Sequence, residues 1–134
     1  MENQRIVPFL TFNSNAEEAM EFYAANLPGA KITKMVRYGE NHPSGGSNLI
    51  MFGSISFMGQ QIMFLDMDPA HPCPPFSWST SIYIQCQDES EFDIIFERLS
   101  DGGQVMMGPE AVAHIRKCAW VTDKFGITWQ PVWE

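Results

Sequence analysis

A proline-rich stretch at the middle of the chain divides it into two parts. Four of the eleven residues from Asp68 to Trp78 are proline. Proline fixes φ and lacks a backbone N–H donor, so this stretch can form neither a helix nor a central strand. The sequence therefore predicts a single domain over residues 1–134, made of a module at 1–67, a linker at 68–78 and a second module at 79–134.

The same order of elements is predicted on both sides of the linker, namely a strand, a helix and three further strands. In the first module these are expected at 6–12, from Asn15 to Pro28-Gly29, and at 30–38, 48–57 and 61–67. In the second module they are expected at 81–86, from Asp88 to Gly102-Gly103, and at 104–107, 113–122 and 127–133.

The two modules can be aligned with a shift of 73 residues, which carries Asn15 onto Asp88, Glu18 onto Glu91 and Pro8 onto Ser81. Asn15 and Asp88 are predicted to cap the two helices, because their side chains can accept from free N–H groups. We interpret the chain as an α+β protein built from a duplicated βαβββ unit. Two unrelated α+β halves would give similar strings.

The charge balance bears on the choice of partner. Sixteen acidic and eight basic residues give a formal net charge of −8. Nucleic acids and anionic membranes require a basic face, so neither is an expected partner. No apolar run reaches the roughly 20 residues of a membrane span, and residues 2–5 do not resemble a secretory leader. With three cysteines, which cannot all pair, reduced thiols and a cytoplasmic location are expected.

Several strings of the sequence are similar to those of a known family. They are Val7-Pro8-Phe9-Leu10-Thr11-Phe12, Ala19-Met20-Glu21-Phe22-Tyr23, Gly59-Gln60-Gln61, Ser81 to Cys86, and Cys118 to Gln130. The whole chain resembles the PhnB-like (demethylubiquinone-methyltransferase-like) branch of the vicinal oxygen chelate superfamily, the glyoxalase/bleomycin resistance/dioxygenase fold. The resemblance implies two paired βαβββ modules whose mixed sheets curl around a cup. It also implies a homodimer in which modules pair across chains.

The resemblance further implies where that superfamily would hold a metal ion, on the first and last strands of each module. In this sequence the four positions are Pro8, Met63, Ser81 and Gln130. Proline has no ligand atom, a thioether is too soft for Mg, Mn or Fe(II), and one amide oxygen does not make a site. We therefore expect a cup without a metal ion and without a cofactor.

Alternation along two strands predicts a surface for a small ligand. Ser81, Tyr83 and Gln85 share one strand face, and Thr128 and Gln130 share another. Polar side chains in an otherwise apolar cavity orient a small ligand, although neighbours and water could equally satisfy them. The complete set of predicted cup-lining residues is Pro8, Leu10, Met63, Ser81, Tyr83, Gln85, Thr128 and Gln130.

The histidines and one cysteine offer little further chemistry. His42 and His71 are predicted in loops and His114 at the start of a strand, without the spacing of a metal motif. Cys73, between two prolines, is predicted to be exposed and unreactive. Cys86 is expected to face the helix as a small apolar residue.

Three functions remain open at this point. The first is a small-molecule-binding protein with a metal-free cup. The second is a metal-dependent isomerase, lyase or dioxygenase with ligands at unusual positions such as His42 or Glu110. The third is an interaction module whose cup is filled by its own side chains. Methyl transfer is not expected, because the sequence lacks the glycine-rich strand-to-helix turn of the usual S-adenosylmethionine enzymes.

Overall fold

The computed structural model describes residues 4–39 and 48–134, which form two compact units divided between Pro74 and Pro75. The division lies within the predicted linker, and residues 68–78 contain neither helix nor strand, as predicted. His42 and most of the predicted loop around it lie outside the described residues.

The first unit is a four-stranded mixed sheet with one helix. Its elements are β1 (Phe9–Phe12), α1 (Ala16–Asn26), β2 (Lys31–Arg37), β3 (Ile50–Phe57) and β4 (Gln60–Asp66). The strand order is β1-β4-β3-β2, with β1 parallel to β4 and the other neighbours antiparallel. A two-residue turn of Met58 and Gly59, both with positive φ, joins β3 to β4.

The second unit repeats this topology. Its elements are β5 (Ile82–Gln85), α2 (Glu89–Ser100), β6 (Gln104–Val112), β7 (Ile115–Thr122) and β8 (Thr128–Trp133). The strand order is β5-β8-β7-β6, again with the first and last strands of the unit parallel. The predicted α+β class and the repeated βαβββ order are confirmed. In the described residues no helix is long and apolar enough to cross a membrane.

The buried side chains of the two units align with a shift one residue smaller than the predicted one. The helix residues that are buried match at a shift of 72, with Met20, Tyr23 and Leu27 corresponding to Phe92, Ile95 and Leu99. The same shift brings buried Phe12 onto buried Ile84. The element starts keep the predicted shift of 73, since β1 and α1 begin at Phe9 and Ala16 and β5 and α2 at Ile82 and Glu89. The prediction is wrong only for the side-chain faces, which follow the shift of 72.

The start of α1 differs from the prediction. The Asn15 side chain makes no capping hydrogen bond. Instead Asp66, at the end of β4, accepts from the Ala16 N–H through Oδ1 and from the Ile50 N–H through Oδ2, both at 2.9 Å. One buried carboxylate from a distant strand therefore joins the first turn of the helix to the start of β3.

The start of α2 follows the prediction. Asp88 Oδ1 accepts from the Glu91 N–H at 2.8 Å, and Glu91 Oε1 accepts from the Gln87 N–H at 3.0 Å. Two exposed backbone donors at this helix end are thus satisfied by residues close in sequence.

The hairpin between β6 and β7 differs from the prediction. β6 continues through Gly108 and Pro109 to Val112, and His114 lies in the turn rather than at the start of a strand. The β6–β7 ladder contains irregularities on both sides of Gly108-Pro109. Because β6 is an edge strand, a proline that lacks a donor is tolerated there.

Candidate functional site

The candidate site lies on one face of the second sheet. Lys117 on β7 reaches Asp93 and Glu89 of α2, at 2.9 and 2.7 Å, which identifies the face of this sheet that lies under the helix. Val121 and Trp129 lie on that side and are completely buried. We call the opposite face, which contains Tyr83, Gln130 and Trp120, the far face.

The strand register places four far-face residues in one row across the sheet. Tyr83 on β5 pairs with Gln130 on β8. The continuous β7–β8 register, with Cys118 opposite Val132 and Val121 opposite Trp129, places Trp120 opposite Gln130. Met107 on β6 pairs with Trp120. Directly opposite residues have Cβ atoms about 5 Å apart, so these side chains are neighbours on one face.

Hydrogen bonds join the polar side chains of the far face. Ser81 Oγ donates to Gln130 Oε1 at 2.9 Å. The Thr122 and Thr128 hydroxyls lie 3.0 Å apart, and Thr122 also donates to the sulfur of Met106. The amide Nε2 of Gln130 makes no hydrogen bond with the described residues. The face therefore offers the amide donor of Gln130 to a ligand.

Trp120 adds a second donor to this row. Its Nε1 is buried and has no hydrogen-bond partner among the described residues. Its ring meets that of Trp78 edge to face, with centroids 5.9 Å apart. Trp120 was not among the site residues predicted from the sequence. The alternation of Trp120 with Cys118 and Thr122 along β7 indicates from the sequence which residues share its face. That Gln130 lies beside Trp120 follows only from the pairing of β7 with β8.

The structure brings together the predicted site residues of the second module. Ser81, Tyr83, Gln85, Thr128 and Gln130 all lie on the far face, as their alternation predicted. Tyr83 is 55% exposed, whereas Thr128 is almost fully buried. The geometric part of the prediction holds, and contact with a ligand remains a prediction.

The predicted site residues of the first module do not share a face. Leu10 pairs with Phe64, whose ring packs near Tyr23 of α1, so Leu10 lies on the helix side. Pro8, two residues earlier, follows the same alternation, whereas Met63 lies on the opposite side with Phe9. The expectation that Pro8, Leu10 and Met63 line one surface is therefore wrong, because the assumed repeat was out of register by one residue.

The corrected register also changes the positions at which a metal ion would be expected. Thr11 pairs with Leu65 as Tyr83 pairs with Gln130. The residues of the first unit that correspond to Ser81 and Gln130 are thus Phe9 and Leu65, rather than Pro8 and Met63. Phenylalanine and leucine have no ligand atoms, and the Gln130 oxygen already accepts from Ser81. These residues do not fit a divalent cation.

The remaining candidate metal ligands are scattered. Among the described residues, no group of three or more His, Cys, Asp or Glu side chains could hold a metal ion. Glu110 is exposed on β6 opposite Cys118. His71 and His114 are exposed in turns, and the nearest acidic partner of His114 is Glu134, at 3.7 Å. His42, the other predicted alternative ligand, lies outside the described residues.

The cysteines have structural environments. Burial raises the pKa of Cys86 to about 11 and also raises the pKa of Cys118. Both thiols are therefore protonated at neutral pH, when a thiol is a poor nucleophile. Cys73 is half-buried rather than exposed as predicted, because Asn13 hydrogen-bonds to both its N–H and its carbonyl, at 2.9 and 3.0 Å.

The chain is similar to several known proteins over nearly its full length. Residues 4–132 match the family model described as 3-demethylubiquinone-9 3-methyltransferase. A PhnB protein from Bacillus cereus is 30% identical, with 98% of this chain and 100% of that chain covered and a TM-score of 0.86. A protein from Pseudomonas aeruginosa is 28% identical, with 98% of each chain covered and a TM-score of 0.88.

More distant similarity is limited to the fold. The fosfomycin resistance protein FosX from Listeria monocytogenes shares the fold at 16% identity, with 98% of this chain and 94% of that chain covered and a TM-score of 0.65. No curated protein matches the chain. From the family match and the similarity to the PhnB protein, the chain belongs to the PhnB-like family described as 3-demethylubiquinone-9 3-methyltransferase.

Proposed function

We propose that this protein binds a small organic molecule on the far face of its second sheet, without a metal ion at the four strand positions. The observation that carries the proposal is the cluster of neutral polar groups around Gln130. The corresponding positions of the first unit, Phe9 and Leu65, are apolar. A few polar groups on a largely apolar surface are typical of a small-molecule site.

The donor chemistry argues against metal-dependent catalysis at these positions. Hard divalent cations prefer carboxylate, carbonyl and water oxygens, and catalytic zinc requires several His, Glu, Asp or Cys ligands. Phe9, Leu65 and Ser81 supply at most one weak neutral oxygen. We therefore propose that this surface binds its ligand through uncharged polar side chains rather than through a metal ion.

We propose that this chain does not catalyse the methyl transfer that the description of the family names. The usual S-adenosylmethionine site follows a parallel strand with a glycine-rich turn that leads into a helix. Here β1 leads to α1 through Asn13-Ser14-Asn15, and β5 leads to α2 through Cys86-Gln87-Asp88. Neither connection contains glycine, so neither brings a backbone close to a cofactor in the usual way.

The proposal is tested by metal titration and fragment binding on the same protein. Protein purified without chelator is analysed for metal and titrated with Ni, Mn, Zn and Fe(II) by calorimetry, and we expect no stoichiometric binding. A library of small organic fragments is then screened by amide NMR, and we expect binders that shift far-face signals of β5 and β8. The variant Gln130→Leu should weaken them at least fivefold.

The matched control is Gln87→Leu, because Gln87 is exposed and precedes α2 rather than lying on the far face. It should leave fragment binding unchanged. One metal ion per chain with loss of binding in Gln130→Leu would overturn the proposal in favour of a metalloenzyme. A screen without any far-face binder would favour an interaction module instead.

A further inference from the structure

The two tryptophans of neighbouring strands differ in how their indole N–H groups are satisfied. Trp129 Nε1 donates to Asp123 Oδ2 at 2.9 Å on the helix side of the sheet. Trp120 Nε1, on the far face, is buried without a partner among the described residues. Buried donors in folded proteins almost always have a partner, so each exception calls for an explanation such as a missing ligand.

A second free donor lies beside the first. Trp120 is opposite Gln130 in the β7–β8 register, but the Gln130 Oε1, which accepts from Ser81, makes no hydrogen bond with the indole. Gln130 is half-buried, and its Nε2 group makes no hydrogen bond to the described residues. Two neighbouring donors without an acceptor form a site for an oxygen atom with two lone pairs, such as a carbonyl or amide oxygen.

The charge of the surroundings selects among acceptors. The far-face neighbours of Trp120, namely Cys118, Thr122 and Met107, are uncharged. Glu110 pairs with Cys118 on the same face and contributes to the raised pKa of that thiol. Burial of an anion without a cationic partner is costly, and a nearby carboxylate increases that cost. A neutral acceptor fits these surroundings, whereas a carboxylate or phosphate does not.

The shape of the surroundings indicates what carries the acceptor. The Trp78 ring contacts Trp120, Met107 lies on one side in the row, and Tyr83 lies beyond Gln130 on the other. Aromatic rings and methionine contact flat apolar groups favourably and adapt to their shape. An aromatic or apolar body with one carbonyl group would therefore cover this row.

We propose that the ligand of the far face is an uncharged aromatic or apolar molecule whose carbonyl or amide oxygen accepts from both Trp120 Nε1 and Gln130 Nε2. This inference rests on the proposed function and names its ligand class. It also assigns to Trp120 a binding role that neither the strand pattern nor the family's metal positions indicate.

The test uses benzamide as a neutral acceptor, benzoate as its charged analogue and toluene as an analogue without an acceptor. They are titrated into the intact protein labelled with 15N, and the indole N–H signals are followed, with that of Trp120 assigned through Trp120→Phe. We expect benzamide to move the Trp120 signal downfield and to saturate. Benzoate should bind at least tenfold more weakly, and toluene should leave that signal near its starting position.

Variants separate the hydrogen bonds from general contact. Trp120→Phe and Gln130→Leu should each weaken benzamide about tenfold and change toluene binding less than twofold, while Gln87→Leu should change neither. Their amide spectra confirm that the fold is intact, and Gln130→Leu serves alone if Trp120→Phe does not fold. Benzamide binding that is unaffected by Gln130→Leu would overturn the inference.

Other outcomes separate the inference from the proposed function. If benzoate or a charged library fragment binds the far face more tightly than benzamide, the ligand class is wrong while the proposed binding function stands. If neither the three probes nor any library fragment shifts a far-face signal, both are wrong.

Discussion

The Trp129 indole donates to Asp123 Oδ2 at 2.9 Å, with both side chains buried. The other oxygen of the same carboxylate accepts from the N–H groups of Phe125 and Ile127, at 2.9 and 3.1 Å. One side chain thus satisfies three donors and connects the β7–β8 turn to the core of the second unit. The string from Cys118 to Gln130, which contributed to the family resemblance, folds around this carboxylate.

Replacement of Asp123 is expected to be strongly destabilising. Asp123→Ala leaves three donors without their acceptor, two of them in buried surroundings, and should lower the free energy of unfolding by about 2–4 kcal/mol. Urea denaturation followed by tryptophan fluorescence measures this loss. Asp101→Ala, at an exposed position after α2, is the matched control and should change stability by less than about 0.5 kcal/mol. Equal effects of the two variants would contradict this role.

The cap of α1 gives a second prediction, in which a distant residue matters more than a local one. Asp66→Ala removes the acceptor for the Ala16 and Ile50 N–H groups and should cost about 2–4 kcal/mol in urea denaturation. Asn15→Ala should cost less than about 0.5 kcal/mol, since the Asn15 side chain makes no capping bond. The reverse order would show that Asn15 caps the helix after all.

The buried thiol of Cys86 gives a pH-dependent prediction. Burial raises its pKa to about 11 in the folded protein, whereas an unfolded thiol ionises near about 8.5. The unfolded state therefore releases its proton first, so the stability associated with Cys86 is complete below about pH 8.5 and falls as the pH rises towards 11.

Urea denaturation of wild type and Cys86→Ala between pH 7.5 and 10.5 measures this effect. Over that interval the free energy of unfolding should fall more for wild type than for the variant. The other titrating groups are the same in both proteins, so their contributions cancel in the difference. Parallel curves would show that the Cys86 pKa is not raised. Slow alkylation of Cys86 by iodoacetamide at pH 8 in the native protein, and fast alkylation in urea, is the expected companion result.

The edge strand β6 gives a prediction about the homodimer that the family resemblance implies. Val105, Met106 and Val112 on this strand are each 38–46% exposed, so β6 presents apolar surface that a second chain could cover. We expect light scattering to give twice the 15.2 kDa chain mass. Val105→Lys should shift the equilibrium towards monomer, whereas Ile94→Lys, on exposed α2, should not. A wild-type monomer at micromolar concentration would contradict the dimer.

Several features of this protein can be predicted from short stretches of sequence because their causes are local. The prolines between Asp68 and Trp78 exclude regular structure wherever the stretch lies. The alternation along β5 assigns Tyr83 and Ile84 to opposite faces, and Asp88 lies three residues from the donor that it caps. Each of these outcomes depends on residues within a few positions of one another.

Other features depend on strands that come from distant parts of the chain. Asp66 replaces Asn15 as the cap because β4 ends beside the first turn of α1, about 50 residues earlier. The pairing of β1 with β4 shows that the first-unit residues corresponding to Ser81 and Gln130 lie one or two positions from the predicted ones. A change of one residue places a side chain on the opposite face of the sheet. The meeting of Trp120 with Gln130 likewise follows from the β7–β8 register, because hydrogen-bonded ladders, rather than side-chain patterns, set which residues lie opposite each other.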